Sequence, residues 1–224
     1  MRPHPRSTRT LALFLIVLGV LLPGLIPLPA SADPLKGYRE DWPGTSLQDW
    51  GGGSLYDNPG TGGVDGVGDG FLLVWTPSPF NLGTVNLSPA YQGDWIAAGI
   101  QLVRVSLNDV GDAQPLSIHF LIADGYNVWQ CKRSFIPLHN QWSEFTVDLT
   151  VPGDFVRLIG SGTFAQTLSN VDRIHFRHDL TPYVHSPDPI QGDFGIDRLI
   201  LTNATTAAAP TTWGRIQRLY RDGD

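Results

Sequence analysis

The sequence predicts an all-β fold, a single antiparallel β-sandwich (jelly roll) with one short helix at most. Short apolar stretches of strand length recur along the chain, separated by turn residues such as glycine, proline, asparagine and aspartate. The stretch 192–201 alternates with the period of two that a pleated strand has. A run of such strands with almost no helical spacing is typical of sandwiches and jelly rolls.

Residues 1–32 predict a secretory signal peptide. Arg2, Arg6 and Arg9 precede an apolar run at 11–22, and Ala30-Ser31-Ala32 matches an A-x-A cleavage site. We therefore expect cleavage between Ala32 and Asp33, and a mature protein that is secreted or held at a bacterial cell surface. An uncleaved membrane anchor is the rival, but the run is shorter than the ~20 apolar residues that span a bilayer.

The composition of the rest of the chain excludes some partners. Without residues 1–32 the chain has 12 basic and 21 acidic residues, a net charge of −9, which argues against nucleic acid or an anionic membrane. No second apolar segment of spanning length follows. Cys131 is the single cysteine, so no intramolecular disulfide can form, and we predict that it is a small buried hydrophobic residue.

The elements follow in order within a domain at 33–201. The first strand lies around 38–42, and a turn-rich surface loop at 51–70 holds a small strand at 54–56 and a Gly-Asp pattern faintly like that of calcium-binding β-rolls. The main strands are predicted at 71–75, 100–107, 116–122, 128–132, 145–149, 155–159, 171–178 and 192–201. Pro77 and Pro79 are expected to end the first of these, Asp124-Gly125 predicts a hairpin, and Thr163 is the expected N-cap of the one short helix.

The stretch 192–201 organises the predicted sandwich. Apolar residues fall on both of its faces, which predicts a central, covered strand, and we expect it to lie beside the first strand. Asp197 stands out there, because a carboxylate in a covered strand must be paired, hydrogen-bonded or bound to a metal ion.

The composition changes after Leu201. Residues 202–212 are an Ala/Thr/Pro linker, and 213–224 form a basic and aromatic tail in which Trp213, Ile216 and Tyr220 would share one face of a helix. So short a helix is not stable alone in water, so we expect the tail to fold on a sorting or surface-attachment partner. The alternative is that Trp213 and Ile216 pack back onto the sandwich.

Several motifs resemble, in their order, the laminin B (domain IV) type module and its bacterial relatives. They are Trp75 with Pro77, Phe80 and Gly83; the stretch 91–100; Pro137 and Trp142 with 145–147; the segment 164–177; and the ending 195–199. The resemblance implies an extracellular jelly roll, akin to carbohydrate-binding modules, that binds or scaffolds rather than catalyses. The chain lacks the cysteine-rich repeats of laminins and the Pro-Glu-Pro-led anchor of many bacterial relatives.

The resemblance to carbohydrate-binding jelly rolls also implies a structural calcium ion where the first and last strands meet. Glu40 and Asp41 with Asp197 offer the hard oxygen ligands that calcium prefers. The alternative is that Asp197 caps a turn, or pairs with Arg39 or Arg198.

The function that we expect is a secreted, non-catalytic binding module for carbohydrate or for a cell surface or matrix, with a protein scaffold as the alternative. Sugar binding would use exposed aromatic faces, for which the candidates are Trp95, Tyr126, Trp129 and Tyr183. A polysaccharide hydrolase is a further alternative, but it needs two carboxylates in one cleft, and the only glutamates are Glu40 and Glu144. His175 and His178 are expected at the surface.

Overall fold

The computed structural model describes residues 36–111, 115–180 and 186–203, which form two antiparallel sheets. In chain order the elements are β1 (Arg39–Glu40), β2 (Trp50–Gly51), β3 (Leu55–Asp57), β4 (Leu72–Asn81), β5 (Gly83–Asn86), β6 (Leu102–Asn108), β7 (Ile118–Ala123), β8 (Val128–Cys131), β9 (Ser143–Asp148), β10 (Phe155–Ile159), α1 (Phe164–Leu168), β11 (Arg173–His178) and β12 (Pro189–Thr202). Short 3₁₀ turns occur at Pro89–Tyr91 and Pro152–Asp154.

The two sheets have six strands each. The first sheet has the order β3–β4–β12–β6–β9, with β1 also paired to β12, and the second has the order β10–β8–β7–β11–β5–β2. One hydrophobic core draws side chains from both sheets, including Val74 and Phe194 of the first and Phe120 and Phe176 of the second. The predicted all-β sandwich with one short helix is therefore confirmed. No helix among the described residues is long and apolar enough to cross a membrane.

Strand β12 is central, as its apolar content on both faces predicts. It pairs with β4 on one side and β6 on the other, and β1 joins it with Glu40 opposite Leu199. The predicted alternation breaks at Arg198, which has a φ of 48° at a register shift between Asp197 and Ile200. The extra residue of this bulge brings Leu199 to the core, where strict alternation from Ile196 would place Arg198.

Strand β4 runs further than predicted. Pro77 and Pro79 were expected to end it near Trp75, but it continues to Asn81. Strand β3 pairs only with residues 73–75 of β4, so the prolines lie where that edge of the sheet is open. Proline lacks an N–H group and is tolerated at such an edge, which explains the difference.

The local predictions around β7, β8 and α1 are confirmed. Asp124 sits in the hairpin turn between β7 and β8, where its Oδ1 accepts hydrogen bonds from the N–H groups of Tyr126 and Asn127, both at 2.8 Å. Thr163 caps α1 in a reciprocal box with Gln166. Cys131 is free and buried, and burial raises the pKa of its thiol.

Candidate functional site

Strand β11 carries polar side chains on the outer face of the second sheet. Ile174 and Phe176 are fully buried in the core. Because successive side chains of a strand point to opposite faces, Arg173, His175 and Arg177 lie on the outer face, and all three are half-buried. A row of polar groups on a sheet face outside the core is a candidate for ligand binding.

The register extends this row across neighbouring strands. Arg177 lies opposite His119 of β7, and Leu121, next but one to His119, lies opposite Gln130 of β8. His119 is 1% exposed and Gln130 is 0% exposed, although both point away from the core. We call the set His119, Gln130, His175, Arg177 and Asp179 the polar face.

Asp179, directly after β11, links the polar face by hydrogen bonds. Its Oδ2 accepts from Nε2 of Gln130 and from Nε of Arg177, both at 2.7 Å. The side chain is 0% exposed, and burial raises its pKa, while the charge of Arg177 acts in the opposite direction. A buried carboxylate with two strong donors holds the guanidinium of Arg177 in one orientation.

His175 and Arg177 line a groove of about 160 Å³ beside β5. Its other walls include Gly52, Gly53 and Gly83, whose lack of side chains leaves the groove open. Gly83 lies directly opposite Arg177, so the absence of a Cβ also makes room for the arginine.

His175 presents a buried nitrogen with no hydrogen bond. Its Nε2 is inaccessible to solvent and has no partner among the described residues. Burial lowers the pKa of the imidazole to about 4, and the charges of Arg173 and Arg177 act in the same direction. The ring is therefore neutral near pH 7, with one nitrogen able to accept a hydrogen bond and the other able to donate one.

The four aromatic candidates have different positions. Trp95 is 0% exposed, and its Nε1 donates to the carbonyl of Tyr91 at 2.9 Å, so its ring is part of the core and presents no face to a sugar. This corrects the expectation for Trp95. Tyr126 is 86% exposed on the β7–β8 turn. Tyr183 lies outside the described residues.

Trp129 is half-buried and covered by other side chains. Its ring meets that of Phe164 edge to face at a centroid distance of 5.5 Å, and the guanidinium carbon of Arg157 lies 5.6 Å from its centroid. The ring is thus engaged by protein groups on two sides. Tyr126 is the one candidate whose ring the structure shows to be widely exposed.

Glu40 is a core carboxyl group. Its Oε2 accepts a hydrogen bond from Nε1 of Trp50 at 2.8 Å and another from the hydroxyl of Tyr91. Burial raises its pKa to about 7. Glu40 therefore does not fit a calcium site, because its carboxylate is turned into the core and its charged form is disfavoured there.

Asp197 is also fully buried, but in different surroundings. Its Oδ2 accepts from the N–H of Val64 at 2.8 Å and its Oδ1 from the N–H of Arg198 at 2.7 Å, so the Gly-Asp loop at 62–70 folds against it. Its pKa is raised to about 6, mainly by burial; the charges of Asp69 and Asp41 act in the same direction, and the two N–H hydrogen bonds act against it. A cation would relieve this desolvation and repulsion.

Asp41 is partly exposed and paired with Arg39, whose Nε lies 2.5 Å from its Oδ2. No three or more His, Cys, Asp or Glu side chains within the described ranges are grouped as a metal site would require. The structure therefore does not gather Glu40, Asp41 and Asp197 in one site, although the charge of Asp41 is near enough to help raise the pKa of Asp197. The calcium ion stays a prediction.

The two glutamates do not face one cleft. Glu40 lies in the core, while Glu144 is on the outer face of the first sheet, with its side chain 52% exposed and its Oε2 2.6 Å from Nη2 of Arg104. The fold therefore does not place the two glutamates as the paired acid and base that a glycoside hydrolase needs.

Sequence reasoning missed most of the polar face. The signal was present in Arg173-Ile174-His175-Phe176-Arg177, where the period of two separates apolar from polar residues. The prediction of a surface position is wrong for His178, which is 0% exposed, because its Nδ1 accepts a hydrogen bond from the N–H of Ser117 at 3.1 Å under the sheet end.

No family model matches the chain, and no curated protein is similar enough to be reported as a relative. Among solved structures, the chain is similar to a family 11 carbohydrate-binding module from Clostridium thermocellum in complex with a β-1,3-1,4-mixed-linked tetrasaccharide. The two are 22% identical with a TM-score of 0.53, over 75% of this chain and 95% of that module.

The chain is also similar to part of an exo-β-agarase, with 14% identity and a TM-score of 0.54, over 73% of this chain and 25% of the agarase. These similarities show a β-sandwich fold shared with a carbohydrate-binding module. The resemblance to laminin B (domain IV) modules stays a prediction.

Proposed function

We propose that the chain is a non-catalytic module that binds carbohydrate at the groove beside the polar face. The observation that carries the proposal is an open groove lined by the neutral His175 and by Arg177, whose guanidinium Asp179 holds in one orientation. Such prearranged polar groups lower the entropic cost of binding.

The chemistry of the groove suits hydroxyl groups. A sugar hydroxyl can accept a hydrogen bond from the guanidinium of Arg177, and the uncharged ring of His175 places no competing charge beside it. Of the four aromatic candidates, Tyr126 on the β7–β8 turn is the one whose exposed ring could stack on an apolar sugar face, away from the groove. The solved structure of the family 11 module with its tetrasaccharide supports the choice of ligand class and of the first probe.

The test is a glycan array followed by calorimetry on the chain from Asp33 to Asp224. The calorimetric probes are the β-1,3-1,4-mixed-linked tetrasaccharide and xylohexaose. We expect Arg177→Ala and His175→Ala to weaken binding about tenfold, the effect of losing ~1.4 kcal/mol. Arg104→Ala, which removes an exposed arginine of the other sheet, is the matched control and should bind like the wild type.

The proposal is overturned if no glycan is retained, or if Arg177→Ala and His175→Ala bind as tightly as Arg104→Ala. Capture of a surface protein without any glycan would favour the laminin B-like scaffold instead. Release of reducing sugar from a bound polysaccharide, retained in a Glu40→Gln/Glu144→Gln double variant, would show catalysis by other groups.

We also propose that the module acts outside the cell. The signal peptide at 1–32 and the tail at 213–224 lie outside the described residues, so both rest on the sequence. N-terminal sequencing of exported protein should show Asp33 as the first residue. The tail would then dock to a sorting or surface partner.

A structural calcium ion at the junction of β1 and β12 is the remaining proposal. It is supported by the pairing of β1 with β12 and by the mutual repulsion of Asp41 and Asp197. Glu40 is left out of it, since Trp50 and Tyr91 hold its carboxyl group in the core.

A further inference from the structure

Trp75 lies on the outer face of the first sheet, away from the polar face. Its neighbours Leu72 and Val74 are fully buried in the core, so alternation turns Trp75 outward, where it is half-buried. Asp193 of β12 lies directly opposite it on one side and Leu55 of β3 on the other. An indole ring and a carboxylate therefore share one row of the sheet surface.

A groove of about 380 Å³ runs beside this pair, a volume in the range of small-molecule sites. Trp75, Asp193, Gln191 and Gly192 are among its walls. The groove lies next to a register shift between the two strands, where three residues of β4 (77–79) lie opposite Gln191 of β12. The groove thus lies beside the tryptophan where β4 and β12 leave their regular register.

The polar groups that line the groove are held in place, yet some of their hydrogen-bonding atoms have no partner among the described residues. Oδ1 of Asp193 accepts hydrogen bonds from the N–H groups of Val110 at 3.0 Å and Gly111 at 2.6 Å, which orient the carboxylate. Its Oδ2, the indole N–H of Trp75 and the amide of Gln191 make no hydrogen bond among the described residues. The site offers a flat apolar face, a donor and an acceptor side by side.

We propose that this groove is a second carbohydrate site, which takes one neutral pyranose unit of a polysaccharide. The apolar face of the sugar ring stacks on Trp75, and its hydroxyls donate to Asp193 and exchange hydrogen bonds with Gln191. Acidic sugars are disfavoured, because their carboxylate would face Asp193. The ligand class rests on the proposed function, but no residue of the polar face takes part.

The test follows the indole N–H signal of Trp75 by ¹⁵N NMR in the chain from Asp33 to Asp224, assigned by its loss in Trp75→Phe. The neutral probes are the β-1,3-1,4-mixed-linked tetrasaccharide and xylohexaose, and the acidic probe is hexagalacturonate. We expect at least one neutral probe to shift the signal in the wild type and in Arg177→Ala, and the acidic probe to leave it unchanged.

In calorimetry on the Arg177→Ala variant, adding Trp75→Ala should weaken the remaining binding of the neutral probe about tenfold, as truncation of a central aromatic contact does. Phe80→Ala, an exposed aromatic of the same strand outside the groove, is the matched control and should change nothing. The inference is overturned if neither neutral probe shifts the Trp75 signal, or if Arg177→Ala abolishes the shift. A third outcome separates the two proposals: the Trp75 signal still shifts, but Arg177→Ala does not change the total binding measured by calorimetry. That result would support the Trp75 site and overturn the proposed binding at the polar face.

Discussion

Gly83 lies directly opposite Arg177 in the β5–β11 pair, and a Cβ atom at Gly83 would be 2.7 Å from the Cβ of Arg177. It would also be 3.0 Å from the carbonyl oxygen of Phe176, which the backbone cannot easily move. The groove and the position of Arg177 thus depend on a glycine in the neighbouring strand.

Gly83→Ala is therefore expected to destabilise the fold by about 1–3 kcal/mol through overpacking, and to weaken glycan binding by displacing Arg177. Urea denaturation and calorimetry with the mixed-linked tetrasaccharide measure the two effects. Gly51→Ala is the control, because nothing lies within 4 Å of a Cβ at Gly51. Equal stability of the two variants would contradict the close approach of β5 and β11.

Glu40 should make the fold less stable as pH rises. Its pKa is raised from 4.5 to about 7 in the folded state, so the folded protein holds this proton more tightly than the unfolded chain does. Its stabilising contribution is complete below pH 4.5 and is lost as pH rises through 7, a change of roughly 3 kcal/mol.

Urea denaturation at intervals from pH 4.5 to 8 measures this slope. Glu40→Gln, which keeps a hydrogen-bonding group but cannot ionise, should flatten it. Glu144→Gln, at an exposed glutamate, should keep the wild-type slope. An unchanged slope in Glu40→Gln would show that Glu40 is not the group responsible. Asp197, with a pKa of about 6, contributes in the same direction and accounts for any slope that remains.

Calcium should raise the melting temperature through Asp197. An ion that binds only the folded state adds about 2.7 kcal/mol at a hundred times its dissociation constant. We expect Asp197→Ala to abolish the rise and Asp41→Asn to reduce it, while Glu40→Gln keeps it. If a chelator leaves the melting of the wild type unchanged, Asp197 acts as a hydrogen-bonded cap for the loop at 62–70 and binds no calcium.

Removal of the tail should leave the sandwich intact. Thr202 is the last residue of β12, so a chain ending at Asn203 retains every strand of the described fold. We expect it to melt at the wild-type temperature but to be released to the medium instead of being retained at the cell. A lower melting temperature would show that Trp213 and Ile216 pack on the sandwich.

Local sequence determined much of the fold. The hairpin at Asp124, the cap at Thr163 and the central position of β12 depend on residues close in sequence or on burial of both faces of one strand, and these predictions are confirmed. The predicted end of β4 was wrong because a proline interrupts a strand only where a neighbouring strand needs its N–H group. That information lies in pairing with a distant segment.

The candidate site depended on tertiary structure for the same reason. The sequence identifies Asp197 as a carboxylate that needs partners, but only the fold brings Val64, 133 residues away, to its Oδ2. Composition could not separate Trp95 in the core from Trp75 on an outer face, because both are tryptophans in apolar surroundings. The polar face joins β7, β8 and β11 by register, and register is a long-range property that a single strand's pattern of residues does not contain.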